Sequence, residues 1–517
     1  MRYRSSIVLI GGIILFVISN LVCGAAVGAE HCSEQVGTLV SIEGSGELQP
    51  QGQQGWQPVK LNDKLCAGDV LRVGPGGRAA VTLTNETILR INQNSILTFS
   101  LPEERISVLK LLKGMLHIFS HRPRALKVST PYVNGTVEGT EFLVAVDDQQ
   151  AAITVFEGLV RAANGQGSLD IGSGQSVTAA KGTAPQYSAV VNPRDAVQWT
   201  LYYPTILASA AGATATEADK LVSQASGALQ TGQVAEARSL LDKALSIEPQ
   251  NSNALALLAI IDVVQNRQES ALAQAQKAVE LAPDSAAAGL ALSYAQQATF
   301  DIDGALNTLL ETTEANPNNV EVLARLAELQ LAVGRFDQAL ATIDRAVGIT
   351  PDNSRVKAVH GFVHLTRVEI DKAQASFTRA VELDQAMPLA RLGLGLSQIR
   401  RGQVAAGRAE IEIGAALDTS NSMIRSYLGK AFFEERRDSQ AGRQYSIAKE
   451  LDPADPTPWF YDAIRKQTDN RPVEALHDLQ QSIALNNNRA VYRSRFQLDD
   501  DLAARSASLG RIYQDLG

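Results

Sequence analysis

The chain has 517 residues and a formal net charge of −8, with aromatic residues making up only 5%. That length allows about three domains, or fewer where a repeat array fills part of the chain. The acidic balance leaves no basic footprint for a phosphate backbone and argues against nucleic-acid binding.

Arg2 and Arg4 open the chain, and Ser5 to Val22 is then almost wholly apolar. Val27 and Ala29 stand at the −3 and −1 positions of a cleavage site before Glu30. Residues 1–29 therefore read as a secretory signal peptide, with an uncleaved membrane anchor as the alternative, because the apolar run approaches spanning length. Cys23 follows Asn20 and Val22, which do not fit a lipoprotein signal. Without the leader, Cys32 and Cys66 are the two cysteines left. An even pair in an exported segment fits one disulfide, and two independent thiols are the alternative. The expected destination is the periplasm or cell surface of a bacterium.

Residues 30–180 read as an all-β domain. Runs with period two occur at Arg78–Thr84, Thr87–Asn92, Val128–Val146 and Ile153–Val160. Gly-Asp, Asn-Gly and Gly-Pro-Gly-Gly (74–77) separate such runs, as turn chemistry requires. Short strands with frequent turns fit a sandwich, a roll or a short β-solenoid.

The same segment carries G-D-V-L-R-V-G (68–74), L-L-K-G-M-L (111–116), V-S-T-P-Y-V-N-G-T-V-E-G-T-E-F-L-V-A-V (128–146) and T-V-F-E-G-L-V-R (154–161). In order and spacing it resembles the FecR domain. Glu138 stands where that family usually has Arg, so no role of that Arg transfers. Members that regulate iron-citrate uptake carry a cytoplasmic sigma-factor-binding segment and a membrane span ahead of the domain. Only a signal-sized segment precedes it here. The resemblance thus implies an extracytoplasmic β domain that contacts another protein or an envelope component.

Residues 181–216 form a linker. Trp199, Tyr202 and Tyr203 within it are the densest aromatic cluster of the chain. We read them as an apolar plug joining the β domain to the first helix pair, rather than as a ligand-stacking site.

From 217 to 489 the period changes. Pro249, Pro283, Pro317 and Pro351 are spaced by 34 residues, and the register continues through Gln385, Thr419, Pro453 and Asn487. Proline cannot continue a helix, so each landmark marks the end of a second helix. Counted back from these landmarks, positions 8, 20 and 27 of all eight units hold Ala, Gly, Ser or Thr, as at Ala225, Ala237 and Ala244 or Gly395, Gly407 and Gly414. Small residues there let two helices pack closely. Leu241, Leu309, Ile343 and Phe377 recur near position 24 and fill the space between hairpins.

This pattern resembles the tetratricopeptide repeat (TPR). The resemblance implies helix pairs stacked into a right-handed superhelix with a concave groove, lined by first-helix positions 2, 5, 9 and 12. Leu290, Tyr294, Phe362, Leu392 and Leu396 are the groove candidates, and apolar pockets of this kind suit an extended or helical segment of a partner protein. Residues 490–517 break the period and then resume as the first helix of a partial ninth repeat, or as a cap.

No catalytic constellation emerges. His360 and His364 stand four apart on a helix, but at repeat positions that pack inside the hairpin, and no Glu completes a zinc-protease motif. We expect no cofactor and no metal. The expected architecture is a multidomain α and β chain, a FecR-like β domain followed by an all-α TPR solenoid. The expected role is an exported, non-enzymatic scaffold for protein–protein interactions in the cell envelope. The alternative is an extracytoplasmic sensor or signalling subunit related to FecR regulators.

Overall fold

The computed structural model describes residues 32, 34–103, 106–120, 123–189, 193–207 and 215–485. The expected leader, Asn487 and the segment 490–517 lie outside them. Among the described residues, no helix is long and apolar enough to cross a membrane.

The front of the chain is a small barrel with extra strands. The run at Arg78–Thr84 is the strand Arg78–Leu83, which pairs antiparallel with Gln35–Glu43 on one side and Ile88–Ile91 on the other. Asn134–Val146 pairs antiparallel with Gln150–Asn164 and with the far half of Ile106–Phe119. The near half of Ile106–Phe119 pairs in parallel with Pro123–Ser129. This long strand changes neighbours at Gly114, whose φ is +99° and where Ser95 leaves no room for a side chain. Alternate side chains then meet inside, where Leu39, Leu65, Val81, Leu89, Leu116 and Phe142 are covered. Cys32 and Cys66 are disulfide-bonded in the structure, with their Cα atoms 5.3 Å apart.

Among the described residues, eight helix pairs follow the barrel, from Glu217–Gln230 with Val234–Ile247 to Pro456–Thr468 with Pro472–Leu485. Each second helix ends two residues before its landmark, as Ile247 before Pro249 and Leu417 before Thr419. Side-chain caps open most first helices: Asn251, Ser285, Asn319, Asn353, Asn421 and Asp455 each accept a backbone N–H of the first turn. The small residues sit where the paired helices touch. Ala225, Ala237, Ala244, Ala327, Ala339 and Ala346 have no exposed area, and Gly395 and Gly407 meet backbone to backbone. Phe377 fills the gap between hairpins and lies against Gly361 and Gly393, where any Cβ would collide with its ring.

The turn inside each hairpin needs one residue in the left-handed region. Gly232, Gly334 and Gly402 supply it at φ +75°, +79° and +81°, and Asn266 and Asn470 at +59° and +57°. The third, fifth and seventh repeats place Phe300, Val368 and Arg436 there, at φ +67°, +61° and +61°. For a β-branched residue this conformation is strained.

The two halves are docked. Val40, Ala80, Ile88 and Phe119 of the barrel pack on Ile413, Ala416 and Leu417 of the sixth repeat. Arginines from the solenoid surround that patch. Arg391 donates to the Val40 carbonyl, Arg408 and Arg437 pair with Glu86 at 3.4 and 3.5 Å, and Arg443 faces Glu157 at 3.6 Å. Arg425, 1% exposed, donates to Glu141 at 2.9 Å. On the far side, Arg78 pairs with Glu43 at 2.7 Å and donates to the Gln230 carbonyl at 2.8 Å, at the end of the first helix.

The two interface carboxylates respond oppositely. Burial would raise Glu141, but Arg425 and His117 outweigh it and hold it at about 2. Glu157 is pushed up to about 7, first by burial and then by Glu141, while the more distant Arg443 and Arg425 only partly oppose the shift.

Val368 is 66% exposed, so Val368→Gly removes strain with little packing loss and should raise stability by about 0.5–1 kcal/mol after the entropy cost of glycine. A lower urea midpoint for this variant contradicts the strain assignment. Glu157 binds its proton more tightly folded than unfolded, so its contribution is complete below about 4.5 and lost as pH rises through about 7. Glu157→Gln should flatten the pH dependence of unfolding in that window by up to about one proton. An unchanged slope contradicts the raised value.

Candidate functional site

The five groove candidates do not share one environment. Leu290 and Leu392 are covered, 1% and 0% exposed, within the packed solenoid. Phe362 has no exposed area and meets Phe377 edge to face, centroids 4.8 Å apart. Tyr294 lies between two guanidinium groups, Arg325 at 3.9 Å and Arg355 at 5.5 Å from its ring centroid. Tyr294 and Phe362 border one cavity of about 250 Å³ on the concave face. Leu396 is half-buried and borders a separate cavity of about 80 Å³ beside Tyr427 and Lys430.

The larger cavity is more polar than its apolar candidates imply. Glu328 and Arg355, at groove positions 9 and 2, line it and pair at 2.9 Å. Burial lowers the Arg355 pKa, but Tyr294, Glu328 and Glu321 together raise it above its ordinary value.

The linker adds to its wall. Tyr202 and Pro204 border the same cavity as Tyr294 and Phe362. The segment leaves the barrel through a 3-10 turn, Pro193–Thr200, and then continues to 207 outside any helix or strand. Val197 and Trp199 pack with Leu143 of the barrel, and Leu201, Tyr203 and Ile206 pack among the first four repeats. Gln265 donates to Gln198 at 3.0 Å, from the end of the second repeat's first helix. Thr200 and Thr419 share a hydrogen bond of 3.1 Å, and the Tyr202 hydroxyl donates to Asp384 at 3.1 Å. Burial and that carboxylate raise the Tyr202 pKa, so the phenol keeps its proton. The plug thus joins the barrel to the first repeats and also reaches the fifth and sixth across the lumen.

Two of these contacts had a signal in the sequence. Gln385 and Thr419 are the described landmarks without proline. Gln385 accepts the Ile42 N–H of the barrel at 3.0 Å, and Thr419 holds Thr200.

His360 and His364 contact each other through their Nε2 atoms at 3.0 Å, and His364 Nδ1 meets Glu369 at 2.6 Å. Burial and the neighbouring His364 lower His360 to about 4, so it is neutral at physiological pH. No cluster of three or more metal-ligating side chains occurs among the described residues. A second cleft, of about 870 Å³, opens between the barrel and the last repeats. Its charges engage one another: Lys449 pairs with Asp462 and Asp478 at 2.8 and 3.1 Å, and Lys466 with Asp478 at 2.6 Å.

Comparison with known proteins agrees with this architecture. Residues 69–161 match the family described as FecR protein, and residues 228–293 and 296–361 match the tetratricopeptide repeat. A search of curated proteins found no match. Among solved structures, the APC/C hetero-tetramer Cut9–Hcn1 is 17% identical, covering 57% of this chain and 56% of that one, with a TM-score of 0.46. A tetratricopeptide repeat protein from Parabacteroides merdae is 14% identical, covering 55% of this chain and 99% of that one, with a TM-score of 0.33. YrrB, a TPR protein with an unusual peptide-binding site, is 17% identical, covering 36% of this chain and 95% of that one, with a TM-score of 0.26. The chain carries a FecR domain at residues 69–161, followed by tetratricopeptide repeats matched over residues 228–361.

Proposed function

We propose that this protein is an exported, non-enzymatic scaffold of the bacterial cell envelope that holds protein partners on its TPR solenoid and FecR domain. The observation that carries this is the concave cavity at Tyr294 and Phe362, bordered by repeats and linker together and lined by apolar and polar groups. At about 250 Å³ it is smaller than the usual small-molecule site and suits one or two anchor side chains of a protein segment. Glu328 and Arg355 on its wall are tied into an ion pair with each other rather than arranged as an acid and a base on one reacting atom. The Cys32–Cys66 pairing fits an oxidising compartment. The sensor reading rests on the FecR match and on Glu157, which titrates where the two domains meet.

Cell fractionation with protease accessibility tests the location. The scaffold reading expects mature chain in the envelope fraction with Cys32 and Cys66 oxidised, and recovery from the cytosol with both thiols free contradicts it. A photo-crosslinking residue at Leu389, on the cavity rim, tests the surface. Adducts with a discrete partner should form there and fall about tenfold or more in Tyr294→Asp, the loss expected of an anchor residue. Equal yields with and without Tyr294 contradict the assignment.

A further inference from the structure

Residues 196–207 read A-V-Q-W-T-L-Y-Y-P-T-I-L and contain no charged side chain. Residues 201–207 belong to no helix or strand, yet Leu201, Tyr203 and Ile206 are all less than a tenth exposed. The solenoid holds them as a groove holds an extended peptide. Leu201 and Tyr203 enter the core of the early repeats, and the intervening Tyr202 turns the other way, onto the core of the later repeats. The main chain is held as well, from the barrel side: Arg78, on the barrel strand Arg78–Leu83, donates to the carbonyls of Trp199 and Leu201 at 2.7 and 3.3 Å. Alternating side-chain pockets combined with main-chain hydrogen bonds are how extended segments are recognised.

We infer that residues 196–207 are a tethered ligand of the concave face. The partner that fits this face is another extended, uncharged segment with the same alternation of aromatic and aliphatic residues leading into proline, and it enters only when 196–207 has left. The inference rests on the groove being the partner site and adds the chemistry of the partner and the element that excludes it. A tethered segment acts at an effective concentration of order millimolar, so a partner displaces it only by binding the face correspondingly more tightly than the free segment does.

The test uses the full chain and a fluorescein-labelled peptide of residues 196–207, with a scrambled peptide as control. Fluorescence anisotropy should show the peptide binding the variant Trp199→Ser, Leu201→Ser, Tyr203→Ser at least about 100-fold more tightly than the unaltered chain. The scrambled peptide should bind neither. If the variant keeps its helical circular dichroism and binds no more tightly, or if the unaltered chain binds equally well, the inference falls. Where the triple variant does not fold, Leu201→Ser alone is measured. A gain of about tenfold supports the tethered ligand, and no gain overturns it. Crosslinking from Leu389 is independent of this peptide, so a failure here alongside intact partner adducts removes the tethered ligand and leaves the scaffold.

Discussion

The arrangement depends on how closely two helices approach within each hairpin. Positions 8, 20 and 27 carry no side chain larger than Thr, and in the sixth repeat Gly395 and Gly407 bring the helix backbones into contact. A constant spacing within hairpins, with a larger residue such as Ile343 or Phe377 between them, turns each repeat by a similar amount. The accumulated turn brings the first two repeats opposite the fifth and sixth, close enough for one extended segment to touch both. Gln198 reaches Gln265 on one side, while Thr200 and Tyr202 reach Thr419 and Asp384 on the other. A solenoid of thicker hairpins would curve differently and lose one wall of that lumen.

The docking of the barrel follows a division of labour between apolar area and charge. The patch of Val40, Ala80, Ile88, Phe119, Ile413, Ala416 and Leu417 provides non-directional attraction. The arginines around it add little net attraction, because a buried ion pair must first lose its water. What they supply is orientation: Arg391, held also by Glu410, reaches one barrel carbonyl, and Arg425, held also by Gln444, reaches one barrel carboxylate, and such directional bonds favour one docked position. Arg425 also explains why two nearby carboxylates differ. It donates to Glu141 and leaves Glu157 with the more distant Arg443, so burial governs one and charge the other.

Much of the solenoid was legible because its contacts are local. Proline at most landmarks, small residues at three positions and Asn, Ser or Asp before most first helices state where helices stop, touch and start. The barrel was legible as strands but not as topology. Ile106–Phe119 changes neighbours along its length, and only the structure shows that this happens at Gly114, packed against Ser95. The groove was legible by position and not by content. Repeat position identifies Tyr294 and Phe362 as lining residues, but not that Arg325 and Arg355 flank the tyrosine or that the linker borders the same cavity. The Arg425–Glu141 pair spans 284 residues, and no local pattern announces a contact of that separation.

The exceptions to the repeat pattern held more information than the pattern did. Proline serves only to end a helix at a landmark, a task that Gln385 and Thr419 leave to the chain that follows. Both helices still end on schedule, at Leu383 and Leu417. The side chains that replace proline have donors and acceptors to spend elsewhere: Gln385 accepts a backbone N–H from the barrel's first strand, and Thr419 bonds the linker. The two departures fall in adjacent repeats, the fifth and sixth, where barrel and linker both arrive. In a repeat protein the consensus describes contacts between neighbouring units, so a polar residue that abandons it without disturbing the helices marks a position answering to something outside the array.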